Sequence, residues 1–381
     1  MNILVLFGGK SSEHDISVIT ALQAINAIDK VKYNVIPVYV TREGKWLTGE
    51  KLLFKETYLN FNEKNFKEVS LNFCKSEIEI KKVISKKIKV DCALLCLHGL
   101  NGEDGTVQGA LELANIPYTS SNVLGSSVCM DKIIMKDIFK ANNMSIVDYV
   151  WFTREEFEAN EDEILDKIYS KIDYPYIVKP CSLGSSIGIS KCECEDDLIY
   201  AIEVACKYDS RIIVEKAVEN LREINCACIG YGNKVRTSML EEPVSWNKFL
   251  SFKDKYLSFS KSATRGEPNL EEDIKEKIKE TAIKAFISTC QSGVVRIDFL
   301  LDSLSGELFI NEINTIPGSL ANYLFPEHFG KLIDELITLA IKRENDKKKN
   351  NFSYKSAALF EYIKNSGKMG TKNIKKIRTN V

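Results

Sequence analysis

What the chain lacks narrows its identity first. No apolar run reaches the roughly 20 residues a membrane-spanning helix needs, so no membrane partner is expected. The opening MNILVLFGG reads directly as an apolar strand. It has neither the charged start nor the small-residue cleavage site of a secretory signal. These absences predict a cytoplasmic protein. Histidine is scarce, at three in 381 residues, too few for a His-based metal site. The 11 cysteines are an odd number without CxxC spacing, which fits reduced, partly buried thiols better than a zinc knuckle or disulfide framework. The net charge of -1 offers nucleic acid no general attraction. Internal repeats are absent. What is present is ordinary globular composition, 44% hydrophobic and 28% charged, in a length suited to two or three domains.

Residues 1–120 alternate strands and helices, with NILVLFGG, YNVIPVYV, DCALLCLH and PYTS as strands. This pattern predicts a parallel, Rossmann-like sheet whose ligands bind at the carboxyl ends of strands. Two Gly-rich loops fall at such ends. The Lys-rich stretch from about 50 to 89 has no clear period and reads as an insertion. Residues 121–215 predict a small α+β unit around YIVKP and RIIVEKAV, and residues 216–343 a second α+β unit. From 344 to 381 the chain is rich in Lys and Asn and reads as a basic C-terminal extension.

The most informative stretch is RIDFLLDSLSGELFINEINTIPGS, residues 296–319. Residues i and i+2 of a strand share a face. Arg296 therefore lies beside Asp298, and Glu312 beside Asn314. Paired as a hairpin, Asp298, Glu312 and Asn314 converge as hard oxygen ligands, suited to Mg²⁺ bound with nucleotide phosphates. Arg296 would meet negative charge developing in a transition state, and Gly318 lets the backbone approach a ligand. An ordinary surface hairpin is disfavoured, because these polar groups sit among apolar residues. Residues 179–188, KPCSLGSSIG, can fold over phosphates. The Lys precedes the glycines, so this is no Walker A loop.

GGKSSEHDIS, LHGLNGEDGTVQG, MDKIIMK, VKPCSLGSSIG, VEKAV, REINCACIG, the pair Lys255-Tyr256 and the 296–319 stretch stand in one order. In that order and spacing the chain resembles the D-alanine–D-alanine ligases over about residues 1–340. The resemblance implies an ATP-grasp fold, with an N-terminal parallel-sheet domain and two ATP-clasping α+β subdomains. It implies ATP, D-alanine and two Mg²⁺ ions (Mn²⁺ an alternative), a homodimer, and an acyl-phosphate route to a dipeptide for peptidoglycan. Carried over by position, Glu13 binds the first ammonium with His98 near it. Lys132, Lys179 and Lys255 contact phosphates. Glu215 and the backbone of Ala217 and Val218 hold adenine, and Glu223 the ribose. Asp298, Glu312 and Asn314 hold metal, while Arg296 and Gly318 stabilise the oxyanion. Ser185 and Tyr256 close the site with Glu13, and residues 245–268 act as a lid.

The chain departs from the pattern after Gly318. By counting, Tyr323 stands where these ligases carry a Ser that holds the second carboxylate, and Leu324 follows it. A phenol still donates a hydrogen bond but fills more space. Leu250 stands where an aromatic hydroxyl is common. A paralogue joining D-alanine to D-serine or another amino acid is therefore an open alternative. A non-catalytic ATP-binding protein would lack a metal ligand or phosphate lysine, and none is missing. A nucleic-acid protein working through the basic tail is opposed by the near-zero net charge.

Overall fold

The computed structural model describes residues 1–81, 85–184, 187–243, 267–350 and 357–366. The chain divides into two compact units, Met1–Arg343 and Glu344–Val381.

In the first unit, β1 (Asn2–Gly8) carries a continuous apolar run, and Ile3 to Phe7 are wholly buried. Such a run marks a strand covered on both faces. The helix α1 (His14–Ala27) follows, then β2 (Asn34–Val40), parallel to β1. β3 (Trp46–Thr48), β4 (Lys67–Asn72), β5 (Glu77–Ile80) and β6 (Lys86–Lys89) extend the sheet antiparallel. β7 (Cys92–Leu95) lies on the other side of β1, again parallel. The sheet order is β6-β5-β4-β3-β2-β1-β7. The expected parallel sheet is thus a parallel centre with an antiparallel wing. The stretch from 50 to 89 supplies three strands of that wing. Its strands are short and mostly solvent-facing, so they need little apolar period. After α2 (Thr106–Leu113), the segment PYTS makes one parallel bridge, Tyr118 to Ala93, instead of a full strand.

Next come α3 (Val123–Met130) and α4 (Lys132–Ala141). Asp131 caps α4, its carboxylate accepting from the N–H groups of Ile133 and Ile134. A second sheet, of order β10-β9-β11-β8, contains β8 (Tyr149–Thr153), β9 (Tyr176–Pro180), β10 (Ser190–Cys192) and β11 (Arg211–Lys216), and is antiparallel throughout. α5 (Arg154–Ala159), α6 (Glu161–Tyr169) and α7 (Glu195–Cys206) belong with it. Val178, Ile212 and Val214 face the core under these helices. The alternate positions, Lys179, Ile213 and Glu215, face the other way.

The third sheet, of order β13-β12-β14-β15, consists of β12 (Leu221–Tyr231), β13 (Lys234–Glu241), β14 (Ser292–Asp302) and β15 (Leu308–Asn314). Val295, Ile297, Phe299 and Leu301 of β14 pack with Ala282 and Phe286 of the helix Glu272–Ser288. The positions between them, Arg296 and Asp298, stay on the opposite face. The helix Phe329–Lys347 returns Leu332, Ile333 and Leu336 to the core of the first sheet. In the second unit, the expected basic extension contains a helix, Ala358–Ser366, with Leu359, Phe360 and Tyr362 exposed.

Candidate functional site

The hairpin of β14 and β15 pairs Asp298 with Glu312 and Arg296 with Asn314. A β-bulge makes this possible. The register steps from Phe299–Ile310 to Asp298–Glu312, skipping Asn311. Leu308 and Ile310 point into the core, as does Ile313. Were Asn311 paired in a regular ladder, Glu312 would share the face of Leu308 and Ile310. The bulge re-aims it beside Asp298. The Arg296 guanidinium donates to both Asp298 oxygens, through Nε at 2.7 Å and Nη2 at 2.8 Å. Asn314 Nδ2 donates to Asp298 Oδ2 at 3.0 Å. Asp298 and Glu312 carboxylates with the Asn314 amide are hard oxygen donors on one face, and they fit a divalent cation.

The second sheet and α4 supply the cationic side. Glu215 is almost wholly buried between two lysines. Lys179 Nζ lies 2.6 Å from Glu215 Oε2, and Lys136 Nζ lies 3.1 Å from Oε1. Burial alone would raise the Glu215 pKa, but the two lysines outweigh it and hold the carboxyl down at about 2. The lysines themselves move apart. Burial opposes the charge on both. On Lys179 the carboxylates of Glu215, Glu312 and Glu223 overcome burial and its pKa rises. On Lys136 burial prevails and the pKa falls. Lys132 Nζ donates to the Leu183 carbonyl at 2.6 Å and lies 3.9 Å from Glu312 Oε2. Lys132 thereby joins the lysines around Glu215 to the β14–β15 hairpin. Ala217 donates its N–H to the Pro175 carbonyl at 2.8 Å. Glu223 lies on β12, and Val218 follows Ala217 after β11.

Glu13 immediately precedes α1, yet its side chain does not cap that helix. It is buried and turned towards the loops after β7 and β9. A Cβ at Gly99 would stand 2.4 Å from Glu13 Oε2, and one at Gly184 3.6 Å from it. Glycine at 99 is what lets that loop approach the carboxylate. A cavity of about 360 Å³ opens here, lined by Ser11, Glu13, Arg42, Gly99, Leu183 and Gly184.

His98 is buried and held at both ring nitrogens. Nδ1–H donates to the Ile316 carbonyl at 2.7 Å, and Nε2 accepts from the Thr20 hydroxyl at 2.8 Å. The carbonyl can only accept, which assigns the proton to Nδ1. Burial lowers the pKa of the ring, consistent with a neutral imidazole. Thr20 Oγ1 in turn accepts from the Ser319 N–H at 3.0 Å. The His98 nitrogens tie down the turn that carries Gly318, and the Glu13 carboxylate acts on its ring.

That turn is unusual. Ser319, Leu320 and Ala321 have φ of 53°, 50° and 50°, a left-handed run that costs L-residues roughly 1–2 kcal/mol each. The bond to Thr20 and one from Asn322 Nδ2 to the Ser319 carbonyl at 2.7 Å help hold it. Tyr323 is half-buried against the core of the first sheet, and the Leu324 side chain lies within that core. The Leu324 side chain therefore cannot face a ligand, and only its backbone could. Ser185, Lys255, Tyr256, Leu250 and most of the expected lid lie outside the described residues.

Two participants escaped the sequence reading. Lys136 stands in the quoted MDKIIMK motif, one helical turn from Lys132, and the i, i+4 spacing was its signal. Glu103 stands in LHGLNGEDGTVQG. It accepts from the backbone N–H of Gly99 at 2.8 Å and of Ile316 at 2.7 Å.

Known proteins agree with this geometry. Family models for the D-ala D-ala ligase N-terminus and C-terminus match residues 2–121 and 138–338. The D-alanine--D-alanine ligase of Thermosipho melanesiensis is 40% identical over 355 residues, covering 91% of this chain and 96% of the relative. Among solved structures, the D-alanine-D-alanine ligase from Coxiella burnetii superposes with a TM-score of 0.77 at 30% identity, over 92% of this chain and 96% of that one. The VanG D-Ala:D-Ser ligase from Enterococcus faecalis gives 0.76, also at 30% identity, over 89% and 99%.

Proposed function

The chain belongs to the D-alanine–D-alanine ligase family, and from that premise we propose how its residues divide the work. It is an ATP-dependent ligase with the ATP-grasp fold, and it makes the dipeptide precursor of peptidoglycan. In our reading the first D-alanine carboxylate attacks the γ-phosphate, giving an acyl phosphate and ADP. The second amine then attacks the acyl carbon and expels phosphate. The observation that carries this reading is the bulged hairpin. It puts Arg296, Asp298, Glu312 and Asn314 on one face, with Lys132 3.9 Å from Glu312.

Glu13 receives the first ammonium. Lys132, Lys179 and Lys255 neutralise phosphate charge. Glu215, with the Ala217 carbonyl and the Val218 backbone, holds adenine, and Glu223 the ribose. Lys179 must leave Glu215 at least in part when nucleotide arrives, because it now blocks that carboxylate. Asp298, Glu312 and Asn314 would hold two Mg²⁺ ions, which neutralise the β- and γ-phosphate oxygens. Arg296 and the Gly318 N–H face the tetrahedral oxyanion, while Ser185 and Tyr256 close the site over Glu13. In this reading the domains are 1–120, 121–215 and 216–343 with 344–381 added, a division that the three separate sheets support. A cytoplasmic homodimer follows from family analogy. No helix among the described residues is long and apolar enough to cross a membrane.

ADP release with Mg²⁺, ATP and D-alanine, with products identified by mass, tests the reading. Turnover to the D-alanine dimer supports it. Turnover only with a mixed pair would favour a second reading, a D-Ala–D-Ser type ligase. Tyr323 at the position expected to hold the second carboxylate is the observation that favours that alternative.

A further inference from the structure

Glu103 sits where two parts of the site meet, and it grips the backbone N–H of Ile316 while His98 grips the carbonyl of the same residue. Its carboxylate accepts the Ile316 N–H at 2.7 Å, and His98 donates to the Ile316 carbonyl at 2.7 Å. The Thr315 hydroxyl donates to the Glu103 carbonyl at 3.3 Å. The other Glu103 oxygen accepts the Gly99 N–H at 2.8 Å, and Gly99 is the residue packed against the Glu13 carboxylate. One side chain therefore bridges the wall of the first-amino-acid cavity and the turn leading to Gly318. The described charged groups that act on it are Glu13 and Arg296. The first is the ammonium acceptor and the second faces the oxyanion.

We propose that Glu103 is a positioning residue for amide formation, holding the Thr315–Gly318 turn so that the Gly318 N–H meets the oxyanion, and that it links this turn to occupancy of the Glu13 site. The proposal rests on the roles given above to Glu13 and Gly318. An ammonium at Glu13 cancels the repulsion between the two carboxylates. Glu103 then carries full negative charge and accepts both N–H groups more strongly. The first substrate in this way firms the turn before the second amine attacks. A donor misplaced by about 1 Å costs on the order of 10²-fold in rate, which sets the size of effect to expect.

Wild-type turnover with D-alanine, ATP and Mg²⁺ is measured first. Its failure would overturn the ligase chemistry and leave the Glu103 geometry standing. Glu103→Gln keeps the shape but turns an amide NH₂ towards one backbone N–H. The two half-reactions are then read separately. Acyl-phosphate formation is followed by exchange of oxygen label between the bridging and non-bridging positions of ATP, and ligation by dipeptide release. The expected result is exchange within about twofold of wild type, an unchanged KM for ATP, and a kcat for dipeptide lower by about 10²-fold. An unchanged kcat, or equal loss of exchange and ligation in a folded variant, overturns the proposal. Hydrogen exchange at the Ile316 amide of the wild-type protein needs no variant. Its protection rises when D-alanine is added, and unaltered protection overturns the link to Glu13 whether or not the variant folds.

Discussion

The two charged clusters of this site, one around Glu215 and one around Glu103, solve opposite electrostatic problems. Around Glu215, two lysines surround one buried carboxylate, and the acid is held down at about 2. Around Glu103, two carboxylates share a water-poor corner. Burial first, and the Glu13 charge second, push Glu103 up to about 8. The first cluster is closed by its own ion pairs, which a nucleotide bound as proposed would have to open. The second is held in like-charge tension and is relaxed by a cation. On the roles proposed above, a bound ammonium is such a cation, and each half of the site then rewards its own substrate. In a low dielectric both effects are larger than they would be in water.

The comparison can be broken most severely at the proposed metal face on the β14–β15 hairpin. Glu312→Gln should lower ligation by roughly 10²–10³-fold, comparable to removing an oxyanion donor, with little change in thermal stability. ADP release against Mg²⁺ concentration checks it, and wild-type rates would refute the assignment. Glu13→Gln should raise the KM for the first D-alanine by about 10²-fold, the loss of a charge-assisted partner worth roughly 1.5–3 kcal/mol. It should also bring the Glu103 pKa down from about 8, because the second cause of its elevation is gone. A carboxyl resonance that stays near 8 would mean burial alone sets it.

Lys136→Met should sharpen the other side. Removing one member of a buried ion pair costs about 3–5 kcal/mol, and the KM for ATP should rise as Lys179 is left alone to hold Glu215. Melting with and without ATP separates these effects, and a variant as stable as wild type would show that the pair adds nothing. A smaller effect concerns pH. Glu103 has a folded pKa above its ordinary value of 4.5. Its contribution to stability is therefore full below about 4.5 and is lost as pH rises through about 8. Glu103→Gln should flatten that decline, and denaturant midpoints at pH 5 and 9 would reveal it. Smallest of all, Tyr323→Ser should change the preference among second amino acids while leaving the ATP KM within about twofold, since one lost hydrogen bond is worth roughly 0.5–1.5 kcal/mol.

Much of this was legible along the chain. The i, i+2 pairs of Arg296 with Asp298 and of Glu312 with Asn314 gave the shared face directly. The bulge was legible too, although it was not read. The apolar positions run 308, 310 and then 313, a change of phase that only an extra residue explains. The wing of β4 to β6 was obscure because edge strands need little apolar burial. Glu103 was hidden for a different reason. Its partners are backbone N–H groups of residues 4 and 213 positions away, and the distant one carries no side-chain signature. His98 stands in a legible motif, but which atoms its nitrogens meet depends on the distant turn at 316–319. Lys136 was visible as a helix residue, and its burial against Glu215 came only from the packing of β11 on α4.

The bulge at Asn311 also bears on how this site can change over time. Point substitutions there alter one ligand at a time and can be compensated. Deleting Asn311 would set Glu312 directly after Ile310, and plain alternation would keep Glu312 and Asn314 on the site face and Ile313 in the core. Inserting one more residue there, or drawing Asn311 into the ladder, would instead turn Glu312 and Asn314 into the core and bring Ile313 out. The segment therefore tolerates the loss of its extra residue far better than the gain of another. What lineages sharing this chemistry must inherit intact is the face that Glu312 takes, not the number of residues that precede it.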